Sequence, residues 1–383
     1  MTGMRRELLA GVGPGALAEA DLVLDLGPQH PTTHGGLQLA LTLDGPADDP
    51  VVVRAEPVVG FQHRGAEKLF EVRDYRQALV LANRHDWLSA FSNEVGLALA
   101  VERMLGLELP PRAAWLRVLL TELNRVAASL LFLGGLRLDG DAAAVHGHRE
   151  REVVLQVMEE HTGGRVHFMA NQVGGLKQEV PEGWTGRVRD AVARVRAGLP
   201  RLDALVADAG HLRGVGVLRP EDAVAHGVSG PVARASGVDL DLRRDEPYLA
   251  YGDLSFGSAE LPVVLGTTGD SWDRADCLLR QVRVSLDVVV ACLDGLPGGP
   301  VNVRLPKTVR APEGATYAWT ENPLGVQGYY LVSRGAATPW RLAMRTASFN
   351  NASVLPALLP GTHLRDVATV LGTLFLVAGD IDK

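Results

Sequence analysis

The chain has 383 residues, of which 46% are hydrophobic and 22% charged, and its net charge at neutral pH is −7. This composition is typical of a globular protein with one elaborated core or two closely associated ones, and it offers no basic surface for nucleic acid. Charged residues interrupt every apolar run before it reaches the roughly 20 residues that span a bilayer. We therefore expect a cytoplasmic protein whose connection to a membrane is at most peripheral, because no signal-peptide core forms near the N terminus either.

The N-terminal part of the chain is predicted to be a flexible tail, residues 1–21, followed by a small antiparallel sheet. The sheet is predicted from three runs that have the composition and alternation of strands, at 22–26, 37–43 and 51–56. The second run alternates strictly and places four leucines on one face, which is the pattern of a half-buried strand.

Two histidines lie in the segment between the first two runs. This segment, which we call the histidine loop, reads GPQHPTTHG over residues 27–35. This position places His30 and His34 at the tip of a predicted hairpin. Because Pro31 disfavours helical geometry at the residue before it, we expect loop geometry, and not one face of a helix, to hold the two imidazoles.

Six segments in the middle of the chain have helical patterns, and we predict helices over 65–84, 87–105, 112–136, 148–160, 186–209 and 271–296. The third is apolar nearly all round, which is typical of a helix in the middle of a bundle. It also carries Glu122, Asn124 and Arg125. Since buried charges need partners, we predict that these three residues form a structural network.

The last part of the chain, residues 297–383, returns to a pattern of strands and loops, with a predicted strand pair at 328–333 and 340–345. The fold class predicted is therefore α+β, with a helical bundle core flanked by antiparallel sheet from both chain ends. We treat residues 22–383 as a single domain with four successive parts. These are the sheet with its histidine loop (22–60), the helical core (65–210), the loops with the last long helix (211–296) and the C-terminal sheet (297–383).

Cys277 and Cys292 are the only cysteines, and they lie fifteen positions apart within one predicted helix. At that spacing they are several helical turns from each other and cannot form a disulfide. No Cys-x-x-Cys motif occurs, so this chain cannot by itself supply four thiolates to an iron–sulfur cluster or a structural zinc. We predict no metal site.

Seven segments together carry a resemblance to a known family. They read GPQHPTTHG at 27–35, HRGAEK at 63–68, RVLLTELNRVAASLLFLG at 117–134, RERE at 149–152, RASGVDLD at 234–241, GYYLVS at 328–333 and GDIDK at 379–383. In unbroken order, from about residue 22 to the end, the chain resembles the D subunit of bacterial NADH:quinone oxidoreductase, respiratory complex I.

The resemblance implies a fold similar to that of the large subunits of nickel–iron hydrogenases. Those proteins hold their metals through two Cys-x-x-Cys motifs, one of them near the C terminus, whereas the matching stretch here, residues 373–380, has no cysteine. A hydrogenase-type enzyme is nearly excluded on this ground, because soft metal ions lose their ligands. The resemblance implies instead that the cavity takes a quinone headgroup, close to an iron–sulfur cluster of the neighbouring small subunit.

The resemblance also implies roles for individual residues. His34 matches the family's quinone-site histidine, whose imidazole can hydrogen-bond a quinone carbonyl and give up a proton on reduction. Asp139 matches the aspartate that orients that histidine, although Asp141 competes because two residues are missing before the RERE segment. His30 and Trp87 are implied at the quinone site. The structural or partner-facing positions are Arg64, Glu67, Arg149 and Glu150.

The chain departs from the family pattern at several of these positions. Trp87 stands where the family usually has tyrosine, and an indole can donate an N–H but has no acidic proton to give. Arg334 and Phe375 stand where the family usually has aspartate. Two hypotheses follow: a quinone-chamber subunit, or a non-catalytic structural paralogue with a diverged quinone pocket.

The first hypothesis implies a subunit of a proton-translocating complex that passes electrons from NADH to quinone. NAD, FMN and the iron–sulfur clusters are then carried by partner subunits, quinone is the substrate, and no cofactor is covalently bound to this chain, which alone is not expected to be active. The implied partners are the iron–sulfur small subunit (the B subunit), the C subunit and the membrane arm, with no nucleic acid. The implied location is peripheral, on the cytoplasmic side of the cell membrane.

Overall fold

The computed structural model describes residues 5–12, 21–26, 30–34, 36–138, 142–254 and 260–383, with residues 33 and 34 described by their backbone alone. Within these ranges the strands are β1 (Arg6–Val12), β2 (Leu22–Leu24), β3 (Leu37–Asp44), β4 (Val51–Val58), β5 (Asn171–Gln172), β6 (Gly175–Leu176), β7 (Gly314–Asn322), β8 (Gly325–Ser333) and β9 (Arg341–Arg345). The helices are α1 (Ala66–Glu71), α2 (Tyr75–Ala82), α3 (Ala90–Leu105), α4 (Pro111–Gly135), α5 (Ala142–Thr162), α6 (Trp184–Asp208), α7 (Pro220–Ala225), α8 (Gly230–Ala235), α9 (Leu242–Asp245), α10 (Ser271–Gly295), α11 (Ala347–Ser353), α12 (Leu355–Leu358), α13 (Val367–Thr373) and α14 (Ala378–Ile381). The α+β class predicted from the sequence is confirmed.

The N-terminal sheet differs from the prediction because β1 lies within the segment that was predicted to be a flexible tail. The strand order is β2-β1-β3-β4, and β1 pairs with β2 in parallel and with β3 in antiparallel orientation. The predicted hairpin between β2 and β3 is therefore wrong, and the sheet is not purely antiparallel. The physical reason is that β1 buries Ala10 and Val12 completely between its neighbours, and no local pattern on either side reveals this burial.

Helix α4 forms the centre of the helical part, as its all-round apolar pattern predicts. It is buried along almost its entire length and packs against α5 and α10, while α5 also packs against α6. The long helices α4, α6 and α10 lie within one or two residues of their predicted bounds. Helix α5 begins at Ala142 and not at residue 148, so the histidines and alanines before the RERE segment belong to its first turns.

The helix predicted over 65–84 is in fact two helices, α1 and α2. Asp74 begins the second one, because its carboxylate accepts hydrogen bonds from the backbone N–H groups of Arg76 and Gln77, and the Gln77 side chain accepts one from the Asp74 backbone in a capping box. Helix α3 begins at Ala90, three residues later than predicted. The residues before it form a turn that belongs to the candidate site.

The C-terminal part contains the predicted pair β8 and β9, which are antiparallel. Strand β7, which the sequence analysis missed, completes this sheet by pairing with β8, and α3 packs against β7 and β8. After β9 the chain forms the short helices α11 to α14, so the prediction of strands and loops to the end is wrong there. The division of residues 22–383 into four parts stays a prediction.

A cluster of buried ion pairs joins α4 to α8, α9 and β7. Glu122 binds Arg125 at 3.2 Å and Arg243 at 3.1 Å, and its other oxygen accepts a hydrogen bond from the Tyr251 hydroxyl at 2.5 Å. Although burial opposes it, the charges of the two arginines hold the pKa of Glu122 below its usual value. The network continues through the ion pairs Arg243–Asp241, Arg234–Asp241 and Arg234–Glu321.

Both cysteines lie in α10, buried and unpaired with each other, in agreement with the sequence. In the part of the chain that the structure describes, no helix has both the length and the apolar character needed to cross a membrane.

Candidate functional site

His30 anchors the histidine loop through both of its ring nitrogens. The side chain is almost completely buried, and Nε2 lies 2.9 Å from the carbonyl oxygen of Gly372 while Nδ1 accepts the backbone N–H of Thr32 at 3.2 Å. This pattern requires the neutral imidazole with its proton on Nε2. Burial lowers the pKa of His30 to about 4. These bonds fix the start of a 3₁₀ turn, Pro31–His34.

The predicted catalytic pair, His34 and Asp139, lies largely outside the described residues. The backbone of His34 ends the 3₁₀ turn, its side chain is not among the described groups, and residues 139–141 are outside the described ranges. Their roles stay predictions.

Trp87 lies in a short turn that precedes α3, formed by residues 86–89. We call it the Trp87 turn. The Oδ1 atom of Asp86 accepts the backbone N–H groups of Leu88 and Ser89 at 3.0 and 3.2 Å, which shapes the turn. From α4, the amide of Asn124 donates to the carbonyl of Leu88 at 2.7 Å. Asn124 therefore supports this turn and is not part of the ion cluster with which the sequence analysis grouped it. The Trp87 ring is half-buried and packs against the core.

Residues 375–383 hold the histidine loop on one side. We call them the C-terminal segment. The Thr32 hydroxyl donates to the carbonyl of Leu376 at 2.8 Å, and the Phe375 ring packs edge-on against Phe132 from α4, which in turn contacts the His30 ring. Phe375 has a positive φ of 52°, which is uncommon for an aromatic residue and shows that the surrounding contacts determine this bend.

The same segment also holds the chain before α1 and the strand end after β9. The two carboxylate oxygens of Asp382 accept the backbone N–H groups of Gly60 and Gln62, both at 2.7 Å. The Thr346 hydroxyl donates to the Asp380 carbonyl at 2.7 Å, and the Lys383 ammonium donates to a backbone carbonyl at 2.6 Å. The C-terminal segment is thus fixed by hydrogen bonds over nearly its full length.

Two of the segments that carry the family resemblance, the histidine loop and GDIDK, therefore meet in space with the Trp87 turn and the chain before HRGAEK. The histidine loop contacts the C-terminal segment at Leu376, the turn of Asp86 and Trp87 meets it at Gly379 and Asp380, and the chain that leads into HRGAEK is bound by Asp382. This convergence is the candidate functional site.

Burial dominates the electrostatics of this site. It raises the pKa of the Asp86 carboxyl, and the charge of Asp380 raises it further. Burial likewise raises the pKa of Asp380. The pKa of His85 is lowered to about 4 by burial and by the charge of Arg64. Asp86 and Asp380 were missed as site residues, although both lie in quoted or neighbouring segments. The sequence did contain a signal for this role of Asp86, because it is an acidic residue directly before the aromatic residue at position 87.

Of the four residues predicted to be structural or partner-facing, two are exposed and two are at least partly buried. Arg64 and Arg149 are exposed, and Arg64 donates to the carbonyl of Arg84 at 3.1 Å. Glu67 accepts the backbone N–H of Met344 at 2.8 Å and pairs with an arginine of β9, which makes it structural. Glu150 is buried and is ion-paired with Arg149.

Of the two other departures from the family pattern, one belongs to the site and one does not. Phe375 is buried inside the candidate site. The Arg334 guanidinium stacks on the ring of Trp340 at 3.1 Å on the surface, at a cation–π distance.

A cavity of about 280 Å³ opens beside His30. Its described lining does not include Trp87, so this cavity alone does not bring together His30 and Trp87, which are two of the three predicted quinone-binding residues. Within the described residues, no group of three histidines, cysteines or carboxylates is placed to hold a metal ion. The lining residues are Asp25, Leu26, His30, Gly135, Leu136, Arg137, His211, Leu212, Arg365, Ala368, Thr369, Gly372 and Thr373.

Comparison with known proteins decides the family. The model of the 49 kDa subunit of respiratory-chain NADH dehydrogenase matches residues 140–310 and 304–383. The chain belongs to this family. A relative from Salinispora tropica, D subunit 2 of NADH-quinone oxidoreductase, is 57% identical over 397 residues and covers 100% of both chains.

Two further members of the 49 kDa subunit family illustrate its range. The D subunit 1 of NADH-quinone oxidoreductase from Streptomyces coelicolor is 58% identical and covers 98% of this chain and 99% of its own. The D subunit of NADH-quinone oxidoreductase from Bacillus cereus is 38% identical and covers 94% and 98%. The family predicted from the seven motifs is confirmed.

Proposed function

We propose that this chain is the quinone-chamber subunit of a proton-translocating NADH-quinone oxidoreductase. The observation that carries the proposal is the convergence of the histidine loop, the Trp87 turn and the chain before HRGAEK on the C-terminal segment. The histidine loop and the Trp87 turn are the regions to which the resemblance assigns the quinone. His34 is the proton-donating imidazole, Asp139 orients it, and Trp87 borders the headgroup.

The partners follow from the same assignment. The iron–sulfur small subunit, which is the B subunit, brings its cluster to the chamber, and the C subunit and the membrane arm complete the surroundings of this chain. NAD, FMN and the iron–sulfur clusters belong to partner subunits. The chain is peripheral, on the cytoplasmic side of the cell membrane. Its fold is that of the large subunits of nickel–iron hydrogenases, with the metal ligands lost.

The alternative is a structural paralogue that assembles but does not reduce quinone. Trp87 is the observation that favours it, because the indole cannot supply a proton.

One experiment separates the two. The complex is purified from membranes through a tag on the iron–sulfur small subunit, its components are identified, and NADH-driven quinone reduction is measured. Co-purification with reduction that His34→Ala abolishes supports the quinone-chamber assignment. Co-purification without quinone reduction supports the structural paralogue, reduction that His34→Ala leaves unchanged contradicts the role of His34, and failure to co-purify contradicts both assignments.

A further inference from the structure

Two buried carboxyl groups lie where the turn before α3 contacts the C-terminal segment. Asp86 is 2% exposed and Asp380 is fully buried. They are close enough for the charge of Asp380 to act on Asp86. Among the described residues, neither carboxylate forms an ion pair, in contrast to the acidic residues of the buried cluster around Glu122.

Each carboxyl group has one oxygen engaged by the backbone. Asp86 receives both of its backbone N–H bonds at Oδ1, and Asp380 accepts the N–H of Ser348 at Oδ2, at 3.0 Å. The Oδ1 atom of Asp380 is buried and has no hydrogen-bond partner in the described part of the chain. One oxygen on each acid can therefore carry a proton without loss of a backbone bond.

Two like charges buried near each other disfavour the state in which both are ionised, so the pair keeps one proton up to a higher pH than an exposed carboxyl group would. The groups that face the pair do not neutralise it. Lys383 and Arg345 lower the pKa of Asp380, but burial outweighs them. From β8, Tyr329 adds an acidic group whose own pKa burial raises. On the turn itself, burial keeps His85 neutral.

We infer that Asp86 and Asp380 share one proton and deliver it to the quinone beside Trp87. This inference rests on the proposed function. It answers the question that Trp87 raises, because the acid directly before the indole supplies the proton that a tyrosine would otherwise give.

Reduction of a quinone to the quinol consumes two electrons, which NADH supplies through the iron–sulfur clusters of the partner subunits, and two protons. The imidazolium of His34 gives one proton to a carbonyl oxygen of the quinone, and the carboxyl pair gives the other. The pair is left as two carboxylates, and this unfavourable state is relieved when one of them takes a proton from solvent.

The test measures quinone reduction by the assembled complex as a function of pH. The parent loses activity at alkaline pH when the shared proton leaves the pair. In Asp380→Asn the neighbouring charge is gone, so the pKa of Asp86 falls and the alkaline limb shifts to lower pH by about one unit. An unchanged alkaline limb in an active Asp380→Asn complex overturns the inference.

Asp382→Asn is the matched control. It changes a carboxylate of the same segment that binds backbone N–H groups, so a shift that arose from loosening of the segment would appear in it too. We expect no shift of its alkaline limb, and an equal shift in both variants overturns the inference. Electron transfer from NADH to hexacyanoferrate, which takes up no protons, shows that each complex is intact. If the parent complex itself reduces no quinone, the proposed function fails, which is a distinct result.

A second measurement does not depend on assembly. Infrared spectra of the isolated full chain at neutral pH are expected to show the C=O stretching band of a protonated, buried carboxylic acid. The band should disappear on titration to high pH in the parent, and at a lower pH in Asp380→Asn or Asp86→Asn. Absence of the band in the folded parent overturns the inference.

Discussion

Trp87 presents a half-buried indole at the start of the turn that Asp86 shapes. Its ring has the breadth of a phenol but a weaker donor, and it cannot release a proton at any pH that an enzyme meets. Under the proposed function, the tryptophan at this position changes the proton donors available to the quinone. His30, by contrast, has both ring nitrogens engaged within the chain, so its contribution is to the position of the loop.

We predict that Trp87→Tyr raises the rate of quinone reduction in the assembled complex and that His34→Ala abolishes it. The phenol adds a titratable donor at position 87 itself, and loss of a general acid lowers rates by about 10² or more. Trp340→Tyr, which changes an exposed tryptophan on the surface, serves as the control and should leave the rate unchanged. If neither substitution in the site affects the rate, the assignment of the pocket is wrong.

His30 should make the stability of the chain depend on pH. Its pKa is about 4 in the native state, below the ordinary 6.5, so on acidification the unfolded chain takes up a proton before the folded chain does. The free energy of unfolding should therefore lose up to about 3 kcal/mol between pH 6.5 and pH 4 through this residue. Denaturation of the parent and of His30→Asn at several pH values measures the contribution as a difference in slope.

His63→Asn, at an exposed histidine, is the control for that experiment, and its slope should match that of the parent. Equal slopes for all three proteins would contradict the buried, neutral state of His30.

At the scale of elements, the ion cluster joins α4 to α8, α9 and β7. Glu122 and Arg125 are completely buried, so their attraction is not weakened by solvent, and each depends on the other to remain charged inside the core.

We expect Arg125→Ala to lower the free energy of unfolding by about 3–5 kcal/mol, because it leaves the Glu122 carboxylate short of a counter-charge. Arg54→Ala removes an arginine whose ion pair with Glu56 is largely exposed, and such pairs contribute about 1 kcal/mol or less. Chemical denaturation of both variants provides the comparison. A parent-like midpoint for Arg125→Ala would show that the cluster does not stabilise the fold.

The elements that could be predicted from the sequence are those whose pattern is local and long. Helices α4, α6 and α10 show a helical period over many residues, and their bounds were predicted closely. Strand β1 was not predicted, because its burial depends on pairing with β3, about thirty residues later. The break before α2 was missed for a different reason: the cap formed by Asp74 overrides a helical pattern that continues through it.

At the scale of the whole molecule, the C-terminal segment brings together regions that are far apart in the sequence. The hydrogen bond from Thr32 to Leu376 spans 344 positions, and that from Gly60 to Asp382 spans 322. Residue types and family motifs could name candidate members of the site, such as His30 and Trp87, whose roles stay predictions. The approach of Asp380 to Asp86 was not available from the sequence, since no local pattern encodes a contact over such a distance.

Deletion of residues 380–383 should release the regions that the segment holds. The backbone N–H groups of Gly60 and Gln62 lose their acceptor, so their amide hydrogen exchange should accelerate strongly, whereas exchange in α6, which packs against α5 and α10, should stay as in the parent. Hydrogen exchange followed by mass spectrometry gives both readings. Unchanged protection at residues 60–62 would contradict the role assigned to Asp382.

The late position of the C-terminal segment also has a consequence for synthesis. A chain grows from its N terminus, and domains fold as they emerge, so the sheet and the helices can form while this segment is still inside the ribosome. The histidine loop can be fixed only after Leu376 has emerged, and the chain before α1 only after Asp382 has followed. A message truncated within these codons therefore yields a chain with a nearly complete core and an unfinished site, which it cannot present to the rest of the complex.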